Sequence, residues 1–325
     1  MRQGAEVFIA SSGSAGVLLK KEFPNLSYME LPGYAPVYPG RSSMVIKMIG
    51  QLPKFFRAVR QENETVKVLV LKHRIDIVIS DNRYGCYSAH AKSIFITHQL
   101  NVMLPPGWTA FGQLINLLCH RYIRKFQEVW VPDQQGSGLT TSFHSDRFPA
   151  VKFVGWLSRF GGTQAPEKKY DVAVVISGPE PQRSMFAAIC LEQLKKSGSK
   201  ALLVLGEPGK NVNQVDGRVQ VVSHLPSKEL EEALINSEVV VARSGYSTVM
   251  DLIALGKKAI FVPTPFQPEQ IFFARHLMAS GIAFSVQQDQ FVLEIALERM
   301  RAFSGLSVYS MEKGLLEGEI KNLLT

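Results

Sequence analysis

Hydrophobic and polar positions along this chain fall into blocks of two kinds. Runs of four to six mostly aliphatic residues, the pattern of strands buried on both faces, are followed by longer stretches in which apolar residues recur every three or four positions. The first series of candidate strands is Glu6–Ala10, Tyr28–Leu31, Asp76–Ser80, Ser93–Thr97 and Val129–Pro132. A second follows at Val172–Ser177, Ala201–Leu205, Val219–Val222, Val239–Ala242 and Ala259–Val262. Strands alternating with helices predict parallel sheets of the βαβ kind. Between the series, "GWLSRFGGTQAPEKKY" interrupts every period with glycine, proline and charge. The expectation is two α/β domains in tandem, residues 1–160 and 161–325, with the last helix packing back on the first domain.

Residues 239–270, "VVVARSGYSTVMDLIALGKKAIFVPTPFQPEQ", carry the most chemistry. A buried strand stops at Arg-Ser-Gly, a helix follows, and a second strand ends in a polar, proline-rich loop. Ligands of open parallel sheets bind at the carboxyl ends of strands, where helix N-termini aim free N–H groups and a positive dipole outward. Ser244 reads as the N-cap of this helix, with Gly245 permitting close backbone approach. Thr248 and Asp251 share its face, while Val249, Leu252 and Ile253 form an apolar one. A carboxylate one to two turns behind an anion site suits paired ribose hydroxyls; a solvated helix residue is the other reading of Asp251.

Composition narrows the class. With 46% hydrophobic and 20% charged residues, and no apolar run of about 18 residues, the chain reads as a globular protein and not a membrane-spanning one. Cys86, Cys119 and Cys190 match no metal or CxxC pattern and are expected as reduced thiols of a cytoplasmic protein. The net charge of +8 points to an anionic partner without naming it.

The stretch "VVVARSGYSTVMDLIALGKKAIFVPTPFQPEQIFFARHLMASGIAF" resembles the donor-binding segment of family 28 glycosyltransferases, the GT-B-fold family of the lipid II-forming N-acetylglucosaminyltransferase. The resemblance implies two Rossmann-like domains. It places the Arg243–Ser244–Gly245 loop and helix start, with Ser247 and Thr248, at a nucleotide diphosphate, and Asp251 at ribose. Gln267, Glu269 and Gln270 fall at the donor sugar, and Phe266 stands where the related loops have glycine. "VVISGPEPQRSMFAAICLEQL" is similar to the first strand, loop and helix of that domain, which turns Ser177, Gly178, Gln182 and Arg183 toward the donor. Arg183, a cation in a helix's first turn where the dipole disfavours it without an anion, reads as a diphosphate ligand, with a solvated arginine as the other reading. In "VVSHLPSKEL", His224 and Leu225 fall where the family meets the uracil ring.

In the first half, "VISDNRYG" and "IFITHQLN" end apolar strands in polar groups. The second resembles the family's acceptor loop, implying acceptor-side roles for His98, Gln99 and Asn101, with Asp81 and Asn82 beside them. His98 and Asp81 are the available bases for deprotonating an acceptor hydroxyl. Family members open with a further strand and Gly-rich loop, whereas "MRQGAEVFIA" resembles a later point, so the first domain is expected to be truncated, its sheet lacking a central strand.

No metal motif or nucleic-acid module is present in the sequence, so the expected activity is metal-independent, without cofactor and without nucleic acid. "WTAFGQLINLLCHRYIRKF" and "MVIKMIGQLPKFFRAVR" mix apolar and basic residues, and read either as core-packed helices or as surfaces for anionic lipid at the inner membrane face. The function expected is transfer of a hexose or N-acetylhexosamine from a nucleotide diphosphate sugar, of UDP type, to the hydroxyl of a lipid-linked or glycan acceptor. The alternatives are a nucleotide-sugar hydrolase or epimerase of the same fold, and a non-catalytic nucleotide-sugar binding protein.

Overall fold

The computed structural model describes residues 4–34, 44–102, 109–134, 148, 151–161, 167–309 and 314–324. The chain divides into two compact units, Met1–Trp156 with Glu312–Thr325, and Leu157–Met311. In the first, β1 (Phe8–Ser11), α1 (Gly13–Glu22) and β2 (Ser27–Glu30) are followed by α2 (Met44–His73), β3 (Ile77–Asp81), β4 (Lys92–Ile96), α3 (Thr109–Ile123), β5 (Glu128–Val131) and β6 (Val151–Phe153). These strands form two separate parallel sheets, β1-β2 and β3-β4-β5-β6. β3 pairs β4 with Ile79 opposite Ile94, and its other edge has no strand beside it among the described residues. Its Ile79 is accordingly 47% exposed, although the alternation-free "IVIS" pattern is that of a strand covered on both faces. The "SSGSAG" segment forms an ordinary strand-to-helix turn, and Ser12 Oγ accepts a hydrogen bond from Arg83 at 3.0 Å.

Glu62 of α2 is fully buried and pairs with Arg83, just after β3; Tyr34 donates to Glu62, and Arg83 reaches the Pro32 carbonyl at 2.6 Å. This polar cluster ties α2, the β2 exit and the β3 exit together. Phe55 and Phe56 of the "MVIKMIGQLPKFFRAVR" stretch pack against Tyr34, Tyr84 and Tyr122, so that part of it is core. No described helix is long and apolar enough to cross a membrane.

The second unit runs β7 (Tyr170–Val175), α4 (Gln182–Ser197), β8 (Ala201–Val204), β9 (Asn213–Asp216), β10 (Val219–Val222), α5 (Ser227–Ile235), β11 (Ser237–Ala242), α6 (Tyr246–Ala254), β12 (Lys258–Phe261), α7 (Pro268–Ala279), β13 (Phe284–Ser285) and α8 (Leu293–Met300). A final α9 (Leu315–Leu324) belongs to the first unit, where its Glu319 meets Lys152 at 2.6 Å. The sheet order is β13-β12-β11-β7-β8-β10-β9, all parallel except β9, which forms a hairpin with β10. The first strand in the chain, β7, is thus central: β8 and β10 lie to one side, β11 and β12 to the other. The order reverses between β7 and β11, and the carboxyl ends of strands flanking such a reversal are where doubly wound sheets bind ligands. The core below is Val172, Val174, Leu203, Val241 and Ile260, covered by Phe186 and Cys190 of α4 and Leu293 and Met300 of α8.

Candidate functional site

The loops after β7 and β11 meet the one after β12 at this reversal. Gly178 has a φ of 103°, a backbone state that side chains disfavour, and a Cβ there would lie 3.6 Å from Thr264 Oγ1. Bare backbone after β7 therefore lies close to the loop after β12. Thr264 is buried and its hydroxyl has no hydrogen-bond partner among the described residues.

Arg243 follows β11 and is fully buried. Its guanidinium donates to the Val262 and Pro263 carbonyls at 3.0 and 3.2 Å, to the Gln182 carbonyl at 3.1 Å and to Gln288 Oε1 at 2.6 Å. It lies over the Phe186 ring, 4.1 Å from the centroid. Nε is left without an acceptor, and no described carboxylate pairs with this cation. Burial pushes its pKa down to about 10, so it stays charged at neutral pH. Arg243, expected in the loop at the diphosphate, turns its side chain inward and staples strand ends. What it contributes to the site is an uncompensated positive charge.

Ser244 is corrected as N-cap. Gly245 occupies that position, and Ser244 Oγ instead donates to the Gln270 carbonyl at 2.7 Å. A tertiary acceptor replaces the local one, and the N-cap residue, Gly245, offers no side chain to the start of α6. Ser247 is exposed and Thr248 half-buried on that first turn.

Arg183 is engaged within the protein. The anion that tolerates it in the first turn of α4 belongs to the protein: Glu180 at 2.5 Å and Glu207 at 3.2 Å, with the Gly206 carbonyl at 3.0 Å. The structure does not reserve this guanidinium for a ligand. Gln182 contributes its carbonyl to Arg243, and its side-chain oxygen accepts from Gln288 at 3.2 Å.

Asp251 lies on α6 as the spacing predicts, but it is engaged. Ser158 Oγ donates to it at 2.8 Å and Arg159 Nε stands 3.4 Å away. Burial raises its carboxyl above the ordinary aspartate value, and these two residues oppose that shift. A ribose at Asp251 would share or displace the Ser158 hydroxyl. His224 and Leu225 leave β10 half-buried, and Leu225 lines a cavity beside α5 with Tyr170, Leu202 and Gln220.

The β12–α7 loop gathers the three residues expected at the sugar. Gln270 Oε1 accepts from the Thr264 N–H at 2.8 Å, Gln270 Nε2 donates to Gln267 Oε1 at 2.7 Å, and Glu269 sits in the first turn of α7. Phe266, where the resemblance has glycine, adopts φ 65°. A side chain in left-handed backbone costs about 1–2 kcal/mol, which gives glycine at this point a physical reason. Sequence reasoning missed Thr264, Gln288, Phe186, Ser158 and Arg159; only the polar threonine between two prolines carried a local signal.

In the first unit, adjacent parallel strands bring Asp81, Asn82, His98 and Gln99 together at the ends of β3 and β4. Thr97 Oγ1 links the turns, donating to Asn82 Oδ1 at 3.3 Å and accepting from the Gln99 N–H at 3.1 Å. Asn82 has φ 53°. Burial raises the Asp81 carboxyl, and the neighbouring His98 ring opposes the rise; solvent access at this open edge limits how far desolvation acts. Asn101 Oδ1 is 3.1 Å from buried His120, a residue the sequence did not single out. No group of three metal-ligating side chains occurs among the described residues.

Comparison with known proteins agrees with this architecture. Residues 183–313 match the Glycosyltransferase family 28 C-terminal domain. The chain is 22% identical over 308 residues, 89% of its length and 86% of the relative's, to an uncharacterized glycosyltransferase of Methanopyrus kandleri. It is 25% identical over 248 residues, 72% of this chain and 64% of the other, to the UDP-N-acetylglucosamine–N-acetylmuramyl-(pentapeptide) pyrophosphoryl-undecaprenol N-acetylglucosamine transferase of Histophilus somni. The same transferase of Methylobacterium radiotolerans is 40% identical, but over only 80 residues, 24% of this chain and 22% of that one. Among solved structures, the spinosyn rhamnosyltransferase SpnG complexed with thymidine diphosphate superposes with TM-score 0.60 at 13% identity, covering 99% of this chain and 88% of that one. The calicheamicin glycosyltransferase CalG4 gives the same score and identity over 99% and 86%. The chain is a glycosyltransferase of the GT-B fold, and its residues 183–313 resemble the C-terminal domain of glycosyltransferase family 28.

Proposed function

We propose that the second unit binds a UDP-sugar and that the chain transfers its hexose or N-acetylhexosamine to an acceptor hydroxyl without a metal ion. The observation that carries this reading is Arg243, a buried cation with no carboxylate partner among the described residues, at the strand ends where α6 begins. A charge held in that state attracts an anion, and helix N–H groups add to the attraction. In the reaction, the acceptor oxygen forms its bond to the anomeric carbon as the carbon–oxygen bond to the diphosphate breaks. The bonding electrons leave with the diphosphate, where α6 and the Arg243 field stabilise them. For the acceptor proton, the bases we assign are His98 and Asp81 of the first unit. The uridine nucleotide and a lipid-linked acceptor are supported by the names of the transferases matched over part of their length. Support for contact with anionic lipid comes from α3, which exposes Leu114 and Leu117 beside Arg121 and Arg124.

The test is thermal unfolding with and without nucleotides in EDTA. UDP is expected to raise the melting temperature, by a stabilisation near 2.7 kcal/mol at a hundred times its dissociation constant, while uridine has little effect. Arg183→Ala, whose partners are protein carboxylates, should leave UDP affinity within about threefold, the size of one exposed ion pair. Failure of every nucleoside diphosphate to shift the transition would overturn the donor-site reading, and a shift that needs manganese would overturn metal independence.

A further inference from the structure

The β12–α7 loop holds an aromatic side chain in a conformation and a position that both disfavour it. Phe266 has φ 65° and is 65% exposed, and among the described residues its ring has no ring or cation partner. The loop imposes this conformation. The Gln267 N–H donates to the Thr264 carbonyl at 3.2 Å, Gln270 clamps Thr264 and Gln267, and Ser244 fastens the Gln270 carbonyl to the β11 exit. Glycine would meet the same geometry without strain. A strained residue that its surroundings over-determine, at the edge of a binding site, is grounds for seeking a function.

The surroundings indicate which ligand would gain from the ring. Within four residues stand the buried Thr264 hydroxyl without a partner and the Gln267 and Gln270 amides, beside one large apolar face. A pyranose presents this complement, hydroxyls around its rim and C–H groups across its face, whereas a nucleotide diphosphate alone does not. We propose that Phe266 is a specificity-determining residue that covers the C–H face of the transferred sugar. The inference rests on the donor-site reading above and adds to it the means by which a sugar-bearing nucleotide is told from the bare one.

The experiment compares the affinities of the wild-type chain, Phe266→Gly and Phe266→Tyr for UDP and for UDP-hexoses by calorimetry. Aromatic contacts of this size are worth up to about tenfold in affinity. Phe266→Gly is expected to bind UDP within twofold of wild type and to bind the preferred UDP-hexose about five- to tenfold more weakly, with Phe266→Tyr restoring the difference. Equal weakening toward UDP and UDP-hexose in Phe266→Gly would show a purely structural role, and an unchanged UDP-hexose affinity would show none; either overturns the inference while leaving the donor site standing. A wild-type chain that binds neither UDP nor any UDP-hexose overturns the donor-site reading and this inference with it.

Discussion

Replacing Arg243 with methionine separates the two effects that this residue combines. Burial lowers its pKa from the ordinary arginine range to about 10, so holding the charge inside costs on the order of 3 kcal/mol at neutral pH. The sign follows from proton binding: the unfolded chain keeps this proton more tightly, so the penalty is full at neutral pH and is relieved as pH rises above about 10. Against this stand four accepted hydrogen bonds. In Arg243→Met, Gln288 still meets Gln182, but the carbonyls of Gln182, Val262 and Pro263 lose their donor, at about 1–3 kcal/mol each. The thioether keeps a soft contact with the Phe186 ring. Three stranded carbonyls at a middle value near 2 kcal/mol, less the relieved charge penalty, leave a net loss of about 3 kcal/mol. No tryptophan occurs in the sequence of the second unit, so a residue-resolved probe is the better choice. Hydrogen exchange is such a probe: amides of β7 and β11 should lose protection by about a hundredfold, the equivalent of that energy. Pyrophosphate affinity should fall at least tenfold, because the positive field is gone. A variant as stable as wild type with unchanged pyrophosphate binding would refute both halves of the reasoning.

Two further predictions concern the rest of the molecule. Burial pushes the Cys86 and Cys190 thiols up to about 12 and raises Cys119, so thiolate is scarce at pH 8, and a thiol reagent should label none of the three in the native chain and all three in denaturant; rapid native labelling of any one would contradict its burial. Alternate amides of β3, along the edge away from β4, should exchange well ahead of those of Ile94–Ile96, which have strands on both sides, and uniform protection across both strands would show that this edge is covered.

The parallel strands were readable because burial on both faces leaves an unbroken aliphatic run, as in β7, where Val172, Ala173 and Val174 are all buried. β6 and β13 are too short, at three and two residues, to show a period. The β9–β10 hairpin had its signal in Asp216–Gly217, with Gly217 at φ 61°, and the reading passed over it. At the site, the sequence placed Ser244, Gly245, Gln267 and Gln270 on loops that the fold does bring together, since strand-end position is topological. It failed where a tertiary partner won. Glu180 lies three residues before Arg183 and was within reach of sequence reasoning, but Glu207 comes from another loop. Ser158 arrives at Asp251 from 93 positions away. The inward turn of Arg243 leaves no trace in local pattern at all.

These departures have a common physical sense. A fold selected only for stability would place a carboxylate beside Arg243, a hydrogen-bond acceptor beside Thr264 and a glycine at position 266, since each change removes a cost that the present residues incur. The three exceptions lie at the ends of neighbouring strands, where β7 and β11 mark the reversal of the sheet, and not in the well-packed core beneath. Local costs concentrated at a ligand-binding position are what preorganisation looks like before the ligand arrives: charge, donor and apolar face are already fixed, so little further ordering is needed on binding. If that is the reason for them, the costs must fall together. Saturating UDP-hexose should raise protection of β11, β12 and the Phe266 loop as one unit, with UDP alone protecting β11 and α6 but not the loop. Protection spread evenly over the second unit would instead mean that the ligand acts only by mass action on global stability, and that the three exceptions are unrelated.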